Sequence, residues 1–363
     1  KNNNGNPKRK YVYGKMRKDV VREMTKIRNS LLTGFPIEPS NIRLEDWLNK
    51  WIEGRKPALS YSTYKNYKII IKNHLIPDIG NLKLSELKSR IIQDLLNYKL
   101  KHGRINSSGG LSIRSVKYIY QTLHASLEQA VKENLLLNNP CKAVEIPKTQ
   151  EEKKFYTWNK EQVKIFLKTA KEYKYYPLIF LAINTGMRQG ELLGLKWNDV
   201  DLIKKRIYVK RQLLRTDKGL IYKKVKTKAG NRVIPLTDYI VKELKKIKIE
   251  QKKIKLMLAD QYHNESIVGA NAIGKPIEPR NLYREFKKIS RKAELPEIRF
   301  HDLRHTFATL FLEAGGSIRT LQQILGHSSI TVTIDTYSHV TEEMLIEAEK
   351  RMNEMFEMTN KKY

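Results

Sequence analysis

Apolar positions in the first half of the chain recur at three- and four-residue spacing. Leu44, Trp47, Leu48, Trp51 and Ile52 fall on one helical face, and Pro57 closes that stretch. The same pattern predicts a second helix from Ser60 to His74 and a third from Ser85 to Lys101, ended by Gly103. Asn106-Ser107-Ser108-Gly109-Gly110 reads as a loop, and a fourth helix follows from about Ser112 to Asn134. Residues 41–140 are therefore expected to be all-helical. Ahead of them, a short strand at Lys10-Tyr11-Val12-Tyr13 and a helix from Lys18 to Leu32, stopped by Gly34 and Pro36, are too small to bury a core alone.

Pro140, Pro147 and mixed charge between Asn138 and Lys154 read as an interdomain linker, set at 141–154. Residues 155–340 then mix two periodicities. Helices are predicted near Lys160–Tyr173 and Pro177–Asn184, and strands at Arg206–Leu213, Leu220–Val225 and Arg232–Pro235. Asp217-Lys218-Gly219 suits the first hairpin turn, Asp238 to Leu258 a long basic helix, and short helices complete the region. In 341–363, Leu345, Ala348, Met352 and Met355/Phe356 form an apolar stripe behind a helix start at Thr341.

Charge changes this picture most. The 363 residues, enough for two to three domains, carry 70 Lys and Arg against 38 Asp and Glu, a net +32. A single-sign field of that size attracts polyanions, so nucleic acid leads the partners. Residues 1–33 hold ten Lys or Arg against Asp19 and Glu23, and residues 41–140 hold 16 against 8, so one face of the helical region suits a DNA backbone. The tail 341–363 is net −2, which suits docking on protein, its own catalytic domain or a neighbouring subunit. One cysteine, Cys141, excludes a disulfide framework and a Cys-rich zinc site. No apolar run approaches the roughly 20 residues of a membrane span and no signal peptide is visible, so a cytoplasmic protein is expected. A chain that begins at Lys1 is expected to be a fragment or a processed form.

Four clusters carry candidate chemistry. In Thr185-Gly186-Met187-Arg188-Gln189-Gly190-Glu191-Leu192-Leu193, glycines flank an arginine that can hold phosphate through two parallel bonds, although an arginine in such a turn is ordinarily a surface charge. Lys226 sits in a β-hairpin turn expected between the second and third strands; lysines at hairpin tips are usually solvated, yet one whose pKa is lowered can donate a proton. His301-Asp302-Leu303-Arg304-His305 opens an apolar helix. Its two histidines at i,i+4 raise zinc, but the zinc-protease pattern needs Glu where Asp302 stands, and His301 and Arg304 share a face that can offer two donors to one phosphate. Gly326-His327 is followed by Tyr337, a residue type that in helices mostly packs.

Arg188, Lys226, His301-x-x-Arg304, Gly326-His327 and Tyr337, in this order, resemble the signature of the tyrosine recombinase (phage-type integrase) family. The match covers residues 155–340; residues 41–140 resemble the family's core-binding domain and 1–33 the remnant of an arm-binding region. The resemblance implies a multidomain fold: an all-α core-binding domain and a mixed α+β catalytic domain, mainly helical with a small antiparallel sheet. It implies that Tyr337 attacks a scissile phosphate to give a 3′-phosphotyrosine and a free 5′-hydroxyl, with no ATP and no metal. Arg188 and Arg304 would clamp the non-bridging oxygens, Lys226 would protonate the leaving 5′-oxygen, and His301 and His327 would assist, with Glu191 in support. No cofactor is implied. The implied partners are double-stranded DNA at attachment or crossover sites, held between the two domains, a homotetramer linked by exchange of 341–363, and an accessory excision factor.

The alternatives are a Xer-like chromosome or plasmid resolvase, a type IB topoisomerase, a DNA-binding architectural protein with a dead site, and a zinc hydrolase. The basic module ahead of the core-binding region favours an integrase of a phage, transposon or conjugative element.

Overall fold

The computed structural model describes residues 11–14, 16–33, 41–146, 156–225, 230–327, 329–331, 333–334 and 349. They fall into two compact units, divided at Glu152 and Lys153.

The first unit is helical. Helix α1 (Arg17–Thr33) stands where the periodicity predicts one, but residues 11–14 carry no strand. Helices α2 (Leu44–Arg55), α3 (Tyr61–Ile70), α4 (Ile76–Ile79), α5 (Ser89–His102) and α6 (Ile113–Lys132) build the core. The five apolar residues of α2 are all buried, and meet Ile92, Leu95 and Leu96 of α5 and Val116, Ile119, Leu123 and Leu127 of α6. Each such side chain contributes about 1.5–3 kcal/mol on burial. The predicted second helix runs further than its pattern suggested, because a wide π turn (Ile71–Leu75) joins α3 to α4. Pro77 has no N–H and would clash in a regular turn; the widened one admits it, with Ile76 N–H reaching the Ile71 carbonyl. The third helix starts later than expected, since Leu84–Glu86 forms a separate 3-10 turn.

The segment read as a linker does not begin as one. Pro140–Ala143 forms a 3-10 turn, and Cys141 and Val144 are buried in the helical core. Asn139 ties it down, accepting the Cys141 N–H at 3.0 Å and donating to the His124 carbonyl at 3.0 Å. Burial pushes the Cys141 thiol up to about 12, so it is an inert packing group.

The second unit is built around α8 (Tyr176–Thr185), whose residues Leu178 to Ile183 are all buried. A helix apolar on every side must be enclosed, and α7 (Lys160–Ala170) and α12 (Asp302–Glu313) pack against it, with α11 (Pro279–Lys292) behind α7. Trp158, Phe166, Phe286 and Phe300 form a chain of aromatic contacts with centroids 4.6–5.6 Å apart. Helix α9 (Gln189–Leu193), the long α10 (Asp238–Leu258), α12 (Asp302–Glu313) and α13 (Ile318–Leu325) complete the helical part.

The strands depart from expectation in an instructive way. Arg206–Leu213 is not one strand but two: β2 (Arg206–Val209) lies between β1 (Val200–Asp201) and β5 (Arg232–Pro235), whereas β3 (Arg211–Thr216) pairs, among the described residues, with β4 (Gly219–Lys224) alone. Ile207, Val209 and Leu213 keep a period of two across the break, so the hydrophobic pattern alone cannot reveal it. The chain changes sheet at Lys210, where buried Asp199 takes ion pairs from both Lys210 and Arg211. Asp217-Lys218 turns the β3–β4 hairpin as expected, closed by the Thr216–Gly219 pair with Gly219 at φ +103°. Strands β4 and β5, expected to flank a hairpin turn at Lys226, belong to different sheets, and residues 226–229 between them lie outside the described residues.

Candidate functional site

The site forms where α8, α9, β5, α12 and α13 meet. Helix α8 stops at Gly186, which adopts φ +61°. A Cβ there would lie 2.6 Å from Phe307 and 2.8 Å from Leu325, so only glycine lets α12 and α13 approach the helix end this closely. Two residues on, Arg188 caps α9. Its backbone N–H donates to Glu191 Oε2 at 2.9 Å and its guanidinium to Oε1 at 3.0 Å.

Glu191 is 3% exposed and is also held by Arg232 on β5, whose two terminal nitrogens reach the carboxylate at 3.0 and 2.8 Å. Burial works against this charge, but the Arg232 bonds and the Arg188 N–H outweigh it and hold the carboxyl down at about 2. Arg232 also donates through Nε to the carbonyl of Ile324.

Arg304, in the first turn of α12, is 3% exposed. It donates to the Gly186 carbonyl at 2.8 Å and to the Leu325 carbonyl at 2.7 Å. These carbonyls end α8 and α13, where helix backbone groups lack intrahelical partners and the helix dipole is negative. Two helix ends thus hold one buried cation. Arg188 differs, with its side chain 39% exposed.

His301 opens α12, and its ring meets that of His305 edge to face at 5.5 Å. Asp302 accepts from the Arg299 backbone at 2.8 Å and its guanidinium at 2.7 Å, so the acid beside the two histidines is engaged by an arginine. Gly326 ends α13 at φ +68°, placing His327 in the turn, where its Nδ1 lies 2.9 Å from Thr333 Oγ1. Burial, then Arg304 and Arg188, drive His327 down to about 4. Burial and the His301 ring do the same to His305, also about 4, and burial with Arg304 lowers His301. Near neutral pH the site therefore presents uncharged imidazoles among four guanidiniums (Arg188, Arg232, Arg299 and Arg304) and two carboxylates (Glu191 and Asp302), a net positive field suited to a single phosphodiester.

Five residues that the sequence singled out, Arg188, Glu191, His301, Arg304 and His327, come together here. Lys226, Tyr337 and the stripe of 341–363 lie outside the described residues. Arg232 was missed. Its signal was available in Glu191, an acid in an apolar turn that could be buried only with a cation, and in the inward position of Arg232 on β5, two residues from Ile234.

The phage integrase family profile matches residues 157–344, and that of the phage integrase N-terminal SAM-like domain matches 43–100. A "Tyrosine recombinase XerC-like" protein of Caldanaerobacter subterraneus subsp. tengcongensis is 32% identical over 375 residues, 97% of this chain and 93% of that one. The ICEBs1 integrase of Bacillus subtilis is 28% identical over 283 residues, 76% of this chain and 73% of its own. Among solved structures, the Tn1549 transposon integrase in complex with a circular intermediate DNA superposes with a TM-score of 0.70 at 22% identity, over 86% of this chain and 100% of that one. Both units of the fold are thus shared with an integrase, and the chain belongs to the phage integrase family of tyrosine recombinases.

Proposed function

We propose that the chain is a site-specific DNA recombinase of the integrase type, which cuts and rejoins duplex DNA for a mobile element. The observation that carries this reading is the convergence of Arg188, Arg304, His301 and His327 on one positive site. Tyr337 is the nucleophile: its oxygen forms a bond to phosphorus as the bond to the 5′-oxygen breaks, and its proton leaves to the site. Lys226 supplies the proton to the 5′-oxygen. The accessible Arg188 meets the phosphate, while buried Arg304 supplies fixed positive charge and directs the turn that carries His327. His301 assists removal of the tyrosine proton, and His327 donates to a phosphate oxygen. Glu191 orients Arg188. The energy of the broken bond is kept in the phosphotyrosine linkage, so rejoining is attack by a 5′-hydroxyl without ATP.

The basic charge of the chain and the names of its relatives support DNA as substrate. A homotetramer on crossover DNA, tied by the acidic segment 341–363, and an excision factor belong to the same reading. A Xer-like resolvase is the second reading, favoured by the XerC-like relative. Nicked substrates trap the covalent step. The native chain with nicked element-end DNA in EDTA is expected to give an SDS-resistant protein–DNA band that Tyr337→Phe abolishes. No band despite duplex binding overturns the reading. Trapping on chromosome-dimer sites but not on element ends selects the resolvase.

A further inference from the structure

Arg232 is a buried cation outside the family signature on which the chain was recognised, and its partners lie on two separate elements. Its side chain is 5% exposed. Two nitrogens hold Glu191 on α9, the residue that receives both the backbone and the guanidinium of Arg188. The third, Nε, holds the Ile324 carbonyl in the last turn of α13, three residues before His327. One guanidinium therefore links the helix start that bears Arg188 to the helix end that leads into His327.

Stability alone is a weak reason for this pairing, because a buried ion pair often does no better than apolar side chains of the same volume. Direction is a stronger one. A planar fork with five donors fixes three acceptors in one plane, which a lysine cannot do. We propose that Arg232 is a positioning residue for phosphodiester cleavage, setting Arg188 through Glu191 and His327 through the last turn of α13. The proposal rests on the recombinase reading above, since cleavage is the step so positioned.

The test compares the native full chain with Arg232→Met, Arg232→Lys and the double variant Arg232→Met/Glu191→Gln. Three quantities are read: duplex affinity, the single-turnover rate of covalent trapping across pH, and the histidine titrations of isotope-labelled protein without DNA. Arg232→Met is expected to bind duplex within about threefold of native, because many other cations neutralise phosphates. Its trapping is expected to slow roughly 100-fold, the scale set by misplacing a catalytic group by about 1 Å. The rate should fall further toward acid pH, where Glu191, left with Arg188 alone, takes up a proton more readily than in the native chain. The double variant has no carboxyl to titrate and lacks that acid limb. Arg232→Lys keeps the charge, recovers roughly tenfold of the loss, and also lacks the limb. In DNA-free Arg232→Met, His327 should titrate at higher pH than in the native chain.

Equal slowing at every pH with His327 titrating as in the native chain would overturn the proposal, leaving Arg232 a packing residue. Should Arg232→Met fail to fold, Arg232→Lys carries the test: trapping at the native rate overturns the proposal, and slow trapping with a native melting curve supports it. If the native chain itself forms no covalent complex, the recombinase reading fails instead. The His327 titration of Arg232→Lys, which keeps the charge that itself lowers His327, then still decides whether Arg232 sets that turn.

Discussion

The two units bury charge in opposite ways. In the helical unit, among the described residues, Lys99 is the buried charged side chain, and its partner Asp78, at 2.6 Å, is 25% exposed, so water shares the pair. In the second unit Arg232 and Glu191 are both enclosed, and Arg304 and Asp302 are buried nearby. A fold that needed only a core would resemble the first unit, because enclosing both members of an ion pair costs several kcal/mol of lost hydration per ion. The second unit accepts that cost where two helix ends and a helix start must converge on one anion. The pair enclosed on both sides follows the chemistry, whereas buried Asp199, like Lys99, keeps partners open to water.

Glu191→Gln should break the comparison most sharply. It leaves Arg232 enclosed without a counter-charge, and the unfolding transition of the second unit is expected to lose about 3–5 kcal/mol. Lys99→Met leaves Asp78 open to water and should cost the helical unit no more than about 1 kcal/mol. Denaturant unfolding followed separately in each unit measures both. Equal losses would mean that the two units hold charge alike.

Acid sharpens the same contrast. Glu191 is held at about 2 against its ordinary value of 4.5, so its contribution, about 3 kcal/mol, is complete above pH 4.5 and lost as pH falls toward 2. His305 and His327, lowered from 6.5 to about 4, act earlier. The unfolded chain takes up protons at these histidines from pH 6.5 downward while the folded one does not, so stability erodes between 6.5 and 4. The second unit should therefore show the steeper fall in melting temperature over that range. His74, lowered mainly by burial, gives the helical unit only a weaker dependence. Duplex DNA should flatten the slope, since a phosphate beside the imidazoles favours their protonated forms. A slope unchanged by DNA would place the phosphate elsewhere.

The comparison also explains what the sequence could and could not convey. Helices α2 and α6 are legible because their burial is periodic within one element: Leu44, Trp47, Leu48, Trp51 and Ile52 carry their own pattern. Helix α10 spans the residues expected of the long basic helix, and the structure shows its start capped by Thr237, whose hydroxyl accepts the Ile240 N–H. The change of sheet at Lys210 was illegible because Asp199, which anchors it, contacts it only in three dimensions. Cys141 entered the core despite its proline-rich flank for the same kind of reason, a tie from Asn139 to the distant His124 carbonyl. In the site, Arg188, Glu191, His301, Arg304 and His327 were legible through the family's residue order. Arg232 left only the indirect signal of a buried acid in need of a cation, because its task is defined by Glu191 and Ile324, which lie 41 and 92 residues away.

The smallest expected effect concerns one proton. His327, with its pKa depressed to about 4, is neutral near pH 7 and carries a single ring hydrogen. For it to donate from Nε2 to a phosphate oxygen, Nδ1 must be the acceptor, which requires the buried Thr333 hydroxyl, 2.9 Å away, to donate to it. Thr333→Val keeps the side-chain shape and removes that hydroxyl. Losing one such bond, worth about 1 kcal/mol, should leave duplex binding unchanged and slow covalent trapping roughly fivefold. His327→Gln retains one amide donor but loses the ring geometry and should be slower still. If Thr333→Val trapped DNA at the native rate, the tautomer would be set by something other than Thr333. If it were as slow as His327→Gln, the hydroxyl would be fixing the ring itself and not only its proton.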